Sequence, residues 1–203
     1  MQALTEIALE ISQCTACNLS KNRTQTVPGD GNPKAEIMFV GEAPGFNEDQ
    51  QGIPFVGRAG NLLNELLNSI ELNRESVYIT NLVKCRPPDN RDPNKQEINL
   101  CRKFLKMQIL QINPKIIVPL GRHAFSYFFP NTKARSARGK FIPLGKLSIF
   151  PIYHPAAALY NPKLKMVLEQ DFQKIFDYLQ NYSGQKDVTK TTPNTTKQLI
   201  FFE

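Results

Sequence analysis

Short apolar runs alternate along this chain with segments of helical periodicity. In chain order, the runs are IMFV, VYITNLV, KIIVPLG and LSIFPIYHP. They are apolar throughout and rich in β-branched residues, as is typical of strands buried on both faces of a sheet. We therefore predict four strands.

Helical patterns separate these runs. Apolar residues recur at spacings of three and four in NLLNELLNSIEL, and KQEINLCRKFLKMQILQI, RHAFSYFF and residues 163–179 are further helix candidates. At the start of the chain, one stripe of an amphipathic helix is formed by Leu4, Ile7, Ala8 and Ile11. The strand–loop–helix alternation, repeated four times, predicts an α/β fold with a parallel sheet and helices on both sides.

Polar and glycine residues come directly after the predicted strands. The segment GEAPG follows the first strand and Asn81 ends the second, while Gly121 and His154 follow the third and fourth. Ligands of parallel α/β sheets bind at the carboxyl ends of the strands. We therefore expect these groups to converge on one edge of the sheet and form a site.

The composition is that of a basic globular protein. The 203 residues carry 25 Lys and Arg against 18 Asp and Glu, a formal net charge of +7, and they suffice for one core with a tail. The charge favours a polyanionic partner such as nucleic acid without requiring one. No apolar run is as long as a membrane span, and the first residues lack a secretory signal, so we expect a cytoplasmic protein.

Four cysteines occur in the chain: Cys14, Cys17, Cys85 and Cys101. Disulfides are rare in a reducing cytoplasm, and a Cys-x-x-Cys turn presents two thiolates to one ion or cluster. Three interpretations stay open from the residues alone. They are unconnected buried cysteines, an iron–sulfur cluster with dispersed ligands, and a zinc site, although zinc commonly uses two close pairs. A thioredoxin-like pair is disfavoured, because its CxxC follows a strand and opens a helix.

Six motifs then occur in order along the chain: CTAC, GEAPG, GIPFVGRAGNLLNELL, YITNLVKCRPPDNRDP, PKIIVPLGRHA and YHPAAAL. Together they resemble the family 4 uracil-DNA glycosylases, the iron–sulfur class of their superfamily. The resemblance implies a three-layer α/β/α sandwich around a four-stranded parallel sheet. It also implies a base excision repair enzyme that flips uracil out of DNA, hydrolyses its N-glycosidic bond and leaves an abasic site. In this interpretation the four cysteines hold a 4Fe–4S cluster within a domain at residues 1–182.

The resemblance implies three catalytic residues. Asn81 reads O4 and N3–H of uracil with its amide and rejects cytosine, which presents the reversed pattern of donor and acceptor. His154, as a neutral imidazole, donates to O2 and stabilises the departing anion. Glu42 is left to position the water, since Ala43 stands where the best-studied sister family has an aspartate. On the residues alone, Asn81 is equally a strand-end cap and Glu42 a solvated loop carboxylate.

Further substrate contacts are implied around this centre. Gly41 and Ala43 belong to the loop that faces the base, Phe55 is the stacking platform for it, and Glu48 crowds its C5 position and excludes thymine. Without the resemblance, Phe55 is more simply a core residue and Glu48 a solvated loop carboxylate.

The DNA wedge is expected shortly after the histidine, because an apolar side chain must replace the lost stacking partner. Leu159 is the better candidate, with Ala158 one residue earlier as the other. Three arginines in loops on the same side, Arg58, Arg86 and Arg91, can contact DNA phosphates. Without the resemblance, they are more simply solvated loop residues.

An alternative function is a uracil-DNA binding or covalent-capture protein of the same fold. Such a protein carries an inserted basic loop with a histidine after the second strand. The segment KCRPPDNRDPN has no histidine, so this alternative is disfavoured. The second histidine of the chain, His123, we expect to be structural.

Residues 183–203 differ from the rest of the chain. The stretch up to Lys197 is rich in Thr, Lys and Asn with little to bury, and we predict a disordered linker. The final QLIFF resembles the peptide by which bacterial DNA-repair and replication proteins dock on the sliding clamp, or else it is an apolar terminus that packs on its own domain. The clamp interpretation implies four contact residues, Gln198, Leu199, Phe201 and Phe202. Separately, we expect a monomer that associates with the nucleoid when it is on DNA.

Overall fold

The structure, a computed structural model, describes residues 3–184. Within this range the strands are β1 (Asp30–Gly31), β2 (Ile37–Gly41), β3 (Tyr78–Asn81), β4 (Ile116–Pro119), β5 (Ile142–Leu144) and β6 (Leu147–Ile149). The helices are α1 (Leu4–Gln13), α2 (Phe46–Gln51), α3 (Arg58–Asn68), α4 (Lys95–Ile112), α5 (Gly121–Phe128), α6 (Ala134–Ala137), α7 (Pro155–Ala158) and α8 (Pro162–Gly184). Short 3₁₀ turns lie at Asn18–Lys21, Arg74–Ser76 and Pro88–Asn90.

The described strands form one sheet in the order β1-β3-β2-β4-β6-β5. Neighbours among β3, β2, β4 and β6 run parallel, and each of these strands comes from one of the four predicted apolar runs. The edge strands β1 and β5 pair antiparallel with their neighbours and were not predicted. The predicted four-stranded parallel sheet is therefore part of a mixed sheet of six strands. The sequence did not reveal the edge strands, because short strands such as Asp30–Gly31 carry no apolar signal.

Helices cover both faces of the sheet. In β2, Phe39 points to the face covered by α3 and α8 and stacks on Phe172 with ring centroids 5.7 Å apart. Its neighbours Met38 and Val40 point to the opposite face, where Leu105 of α4 packs. Side chains alternate between faces along a strand, so a strand apolar at every position must be covered twice.

The N-terminal amphipathic helix is confirmed as α1. Ile7 and Ile11 are buried and pack against Phe104 of α4. This contact brings the end of α1, where Cys14 follows, next to the helix that carries Cys101.

The final helix runs beyond its predicted range of residues 163–179 and reaches Gly184, the last described residue. The linker predicted from residue 183 is therefore wrong at its first two residues, which belong to α8. None of the helices in the part of the chain described is both long and apolar enough to cross a membrane. The rest of the predicted linker and the predicted clamp-binding residues Gln198, Leu199, Phe201 and Phe202 lie outside the described residues.

Candidate active site and cysteine site

The carboxyl ends of the parallel strands gather the predicted site residues at one edge of the sheet. Gly41 of β2 pairs in register with Asn81 of β3. Beyond β4, the Gly121 N–H donates to the Ile152 carbonyl at 2.9 Å, which sets His154 beside Gly121. Parallel register therefore brings together residues that are more than a hundred positions apart in sequence.

Asn81 is a deeply buried polar residue at this edge. It is 1 % exposed, and its Oδ1 atom has no hydrogen-bond partner among the described residues. A Cβ atom at position 41 would lie under 3.0 Å from Asn81 Oδ1 and from the Phe55 ring. Glycine at this position therefore leaves the space in which the amide and the ring meet.

Phe55 is held in a strained backbone conformation beside this amide. Its φ of +54° lies in the left-handed region, where non-glycine residues are uncommon. Arg74 fixes the segment, since Nη1 donates to the Phe55 carbonyl at 3.1 Å and Nη2 to the Pro54 carbonyl at 2.7 Å. A side chain at Gly60 would overlap the same Phe55 carbonyl. The loop geometry thus depends on the hydrogen bonds from Arg74 and on the absence of a side chain at Gly60.

The His154 imidazole stacks on Phe55, with ring centroids 5.6 Å apart and planes 27° from parallel. Its Nδ1 accepts a hydrogen bond from the Ala156 N–H at 3.1 Å, which caps α7. Burial lowers the pKa of His154 to about 4, and nearby Glu48 opposes the shift. The ring is therefore neutral near pH 7, and because Nδ1 is an acceptor, the proton is on Nε2.

Glu42 lies in a small charged cluster with two residues from other elements. Its Oε1 is buried without a hydrogen-bond partner in the described chain, and His123 Nδ1 of α5 lies 3.5 Å away. The opposite ring nitrogen of His123 lies 3.4 Å from Asp92 Oδ2. Burial raises the pKa of Glu42 above its ordinary 4.5, His123 works against that shift and Asp92 adds to it. His123, expected to be structural, is thus a neighbour of the predicted water-positioning carboxylate.

Glu48 is occupied by backbone hydrogen bonds. Its Oε1 accepts from the N–H groups of Val56 and Gly57 at 2.9 and 3.0 Å, and its Oε2 accepts from the Gly45 N–H at 3.1 Å. The carboxylate therefore joins the loop after β2 to the segment that follows Phe55. In this arrangement Glu48 shapes the site by fixing two loops relative to each other.

An open pocket of about 140 Å³ lies over this edge. Its lining includes Glu42, Ala43 and His154 from the strand ends, and Asn90 and Asp92 from the loop after β3. The deeper Asn81 and Phe55 are outside this lining, with 1 % and 7 % exposure.

The candidate wedge residues differ in burial. Ala158 at the end of α7 is buried in the core, and Leu159 is half-buried and packs against the same cluster. The next residue, Tyr160, is 79 % exposed. Leu159 is thus the larger and the less buried of the two predicted wedge residues.

The three loop arginines have different partners. Arg91 forms a bidentate pair with Glu97, with Nη to Oε distances of 2.7 and 2.9 Å. Arg86 donates from Nε to Asn90 Oδ1 at 2.7 Å. Arg58 lies over the Tyr160 ring. The guanidinium group of Arg91 is therefore occupied by an ion pair in the first turn of α4. Arg58 and Arg86 instead lie against an aromatic ring or a polar group of the loops.

All four cysteines line one small cavity of about 20 Å³, together with apolar residues of α1 and α4. The cysteines are free thiols in this structure. Burial raises the pKa of Cys101 to about 11 and also raises that of Cys85. These thiols therefore keep their protons unless a cation displaces them, as thiolate-binding metals do.

A set of four thiols around one cavity suits a metal that prefers sulfur ligands. Both a zinc ion and an iron–sulfur cluster bind such a set. A second group of potential ligands lies at the strand ends, where the donor atoms of Glu42, Asp92 and His123 all lie within 4.8 Å of one another.

Two basic residues accompany the cysteines. Arg23 Nη1 donates to Cys85 Sγ at 3.3 Å and to the Cys14 carbonyl at 2.8 Å. The buried Lys84 Nζ donates to three acceptors, at 2.6 Å to Thr80 Oγ1 and at 2.8 Å to the Asn81 carbonyl and Gln108 Oε1. Lys84 thus connects the strand end that carries Asn81 to the cysteine cavity and to α4.

Sequence reasoning assigned no role in these sites to five residues: Arg23, Arg74, Lys84, Asp92 and His123. A signal for His123 was available, because it lies two residues after Gly121 at the strand edge already singled out. No local signal identifies Arg74 or Lys84, because their partners Phe55 and Gln108 are 19 and 24 positions away.

The chain is similar to known uracil-DNA glycosylases. The sequence profile of the uracil DNA glycosylase superfamily matches residues 28–180. The chain is 54 % identical over 189 residues to the type-4 uracil-DNA glycosylase of Saccharolobus solfataricus, with 88 % of each chain covered. It is 47 % identical over 199 residues to that of Archaeoglobus fulgidus, with 88 % of this chain and 100 % of the relative covered. A third type-4 enzyme, from Sulfurisphaera tokodaii, is 51 % identical over 185 residues, with 86 % of this chain and 84 % of the relative covered. The chain therefore belongs to the type-4 uracil-DNA glycosylases of this superfamily.

Proposed function

We propose that this protein is a DNA-repair glycosylase that extrudes uracil from DNA and hydrolyses its N-glycosidic bond. The observation that carries this proposal is the buried, unpartnered Asn81 Oδ1 at a strand end, beside a neutral His154. An unsatisfied buried polar atom is costly and is retained where a ligand completes it. Family membership supplies the class of ligand.

Base recognition is assigned to Asn81 and Phe55. The Asn81 Oδ1 accepts from N3–H of uracil and its Nδ2 donates to O4, whereas cytosine opposes an acceptor with an acceptor. The Phe55 ring gives the extruded base an apolar surface for stacking. Gly41 and Ala43 complete the floor, and Glu48 holds the two loops that frame the base and, we propose, limits the room at its C5 position.

Leaving-group stabilisation is assigned to His154. Its proton lies on Nε2, since Nδ1 accepts from Ala156, and a neutral donor already in place needs no proton uptake before reaction. As the C1′–N1 bond breaks, its electron pair moves to the base, and the negative charge that develops on O2 accepts the Nε2 hydrogen bond.

Water attack is assigned to Glu42. Its partly buried carboxylate, next to His123, accepts a hydrogen bond from a water whose oxygen forms the new bond to C1′. The proton lost from that water balances the one taken up by the uracil anion, so the products are free uracil and an abasic site. The same negative charge stabilises the oxocarbenium-like sugar.

The four cysteines are proposed to hold a 4Fe–4S cluster. The free thiols and their common cavity support a thiolate-bound metal site, and membership of the type-4 family favours the cluster over a single zinc ion. Cys14 and Cys17 after α1, Cys85 after β3 and Cys101 of α4 would hold the cluster, which would connect these three segments. The hydrolysis itself needs no electron transfer, so its role is to brace the scaffold.

The remaining assignments follow from the same proposal. Because α8 continues to Gly184, the domain comprises residues 1–184. It acts as a monomer on uracil-containing DNA and uses Leu159, with Ala158 beside it, as the wedge. A cytoplasmic location with nucleoid association on DNA goes with this role. Residues 185–203 form a linker that ends in a clamp-binding peptide. Retention of clamp binding after deletion of residues 198–203 would rule that peptide out.

Release of free uracil tests the proposal directly. Iron-replete protein is incubated with an oligonucleotide that contains one deoxyuridine, and chromatography quantifies the free base. We expect one uracil and one alkali-labile abasic site per strand, and none from a matched deoxycytidine strand. Binding or covalent capture of the strand without free uracil would instead favour the non-catalytic alternative.

A further inference from the structure

Two aromatic side chains are exposed at the rim of the candidate active site. Phe46, the first residue of α2, is 55 % exposed, and Tyr160, just beyond α7, is 79 % exposed. Exposure of large aromatic rings loses the apolar contacts that would stabilise a fold. Their positions beside a pocket point to a binding role.

An arginine covers each ring. The Arg86 Cζ atom lies 5.1 Å from the Phe46 ring centroid, and the Arg58 Cζ atom lies 5.7 Å from that of Tyr160. Both distances are within the range of cation–π attraction. Each pair thus presents an exposed ring together with a guanidinium group that can reach a phosphate.

The two pairs flank the pocket from different parts of the sheet edge. Phe46 follows the pocket-lining Gly45, and its partner Arg86 lies beyond β3. Tyr160 comes six residues after the pocket-lining His154, and its partner Arg58 starts α3, which packs on α7. A strand whose target base occupies the pocket therefore extends past both pairs.

We propose that these pairs, Phe46 with Arg86 and Tyr160 with Arg58, are stacking platforms for unpaired nucleobases that flank the extruded uracil. Every base has a planar face, so the contact is tolerant of sequence, and the arginine adds a phosphate contact. The inference rests on the proposed function for the position of the strand. It assigns to this surface a contact with single-stranded DNA or with a locally opened duplex.

The absence of tryptophan from the sequence allows a direct test. The variants Tyr160→Trp and Phe46→Trp each carry one tryptophan, whose fluorescence is quenched when a base stacks on it. Leu110→Trp is the matched control. Leu110 is 52 % exposed near the end of α4, which leads into the amino end of β4, and the candidate site lies at the carboxyl ends of the strands. Each holoprotein is titrated with a uracil-free oligothymidylate, and the anisotropy of a labelled strand reports binding independently.

We expect quenching in both rim variants at saturation and none in the control. Unquenched rim tryptophans in the presence of bound oligonucleotide would overturn the proposal. Fluorescence quenching does not require excision. If a protein that releases no uracil still shows quenching, the proposed function is contradicted but the stacking platforms are not.

Kinetics provide the second arm. Tyr160→Ala should raise KM for a single-stranded uracil substrate by on the order of 5- to 100-fold with little change in kcat, and Tyr160→Phe should retain the wild-type KM. An equal KM for Tyr160→Ala and the wild-type protein would contradict a stacking role at this position.

Discussion

At the scale of single residues, the site is marked by polar atoms that lack partners. Three buried side-chain oxygens of the described residues have no hydrogen bond, and two of them, Asn81 Oδ1 and Glu42 Oε1, belong to the candidate active site. Each such atom costs about 1–3 kcal/mol. By contrast, the equally buried Lys84 Nζ satisfies all three of its donors. The fold therefore tolerates two unpaired oxygens at the place where a bound substrate or water can supply their hydrogen bonds.

Asn81→Ala should lower the rate of uracil excision by roughly 10²- to 10³-fold, because it removes both hydrogen bonds to the base edge. Single-turnover release of free uracil measures the change. DNA binding and the melting temperature should stay close to wild type, since Oδ1 has no partner to lose. The exposed Asn68→Ala, at the end of α3, is the matched control, and an equal loss in both variants would contradict the assigned role.

The rate of excision should rise with pH along an acid limb set by Glu42. Water positioning requires the carboxylate, and burial raises the pKa of Glu42, so the limb should lie above pH 4.5. A pH series of single-turnover rates measures it. In Glu42→Gln the limb should disappear along with most of the activity, and a limb unchanged by this substitution would assign it to another group.

His154 should affect the pH dependence of stability rather than that of catalysis. Its pKa in the folded state is about 4, below its ordinary 6.5, so the unfolded chain takes up a proton first as the pH falls. The contribution of His154 is thus complete above pH 6.5 and decreases by about 3 kcal/mol as the pH falls toward 4. Denaturant titrations of wild type and His154→Asn measure it, and the variant should show a shallower decline. Parallel curves would mean that the imidazole titrates normally.

At the scale of elements, the pairing of β2 with β3 determines how closely the site groups approach. The register sets Gly41 opposite Asn81, and the loop clamped by Arg74 delivers Phe55 to the same point. The main chain of a strand end is rigid because it is hydrogen-bonded on both sides. The geometry of the base pocket is therefore a property of two strands and one clamped loop.

Gly41→Ala should abolish most excision without unfolding the protein. The added Cβ would displace Asn81 Oδ1 and the Phe55 ring, which it would approach under 3.0 Å, and displacements of this size cost about 10²-fold in rate. Uracil release and thermal unfolding should be measured together. Asn68→Ala, exposed at the end of α3, serves again as the control. Full activity in Gly41→Ala would show that the pocket adapts.

At the scale of the whole molecule, the cysteine cavity connects three elements that are distant in sequence. The end of α1, the chain after β3 and the middle of α4 meet there, and Lys84 links that point to the backbone of Asn81. A cross-link of such long loops removes much of the conformational entropy of the unfolded chain. Loss of the proposed cluster should therefore affect the whole fold.

Cys101→Ser should lower both the iron content and the melting temperature, since a hydroxyl is a poor ligand for iron. Iron and sulfide analysis, visible absorbance and thermal unfolding measure the outcome. Ser20→Ala is the control, since Ser20 lines the same cavity without donating a thiolate. Iron content and stability that are unchanged in Cys101→Ser would argue against a four-cysteine cluster.

The sequence by itself determined the four parallel strands, the helices between them and the edge at which the site would form. These features follow from apolar periodicity and strand ends, which are local properties of the chain. Motif order also identified Asn81, His154 and Glu42 as candidates together. The edge strands were not predictable, because segments of two or three residues are too short to show a periodic pattern.

Only the tertiary structure decided the chemical state of the site. The tautomer of His154 depends on the Ala156 N–H, and the environment of Glu42 depends on His123 and Asp92, which lie in other elements. The strained conformation of Phe55 depends on Arg74, 19 positions away. Such properties arise from burial and from contacts between distant segments. Local sequence patterns do not encode them, because each depends on which partners the fold brings within hydrogen-bonding distance.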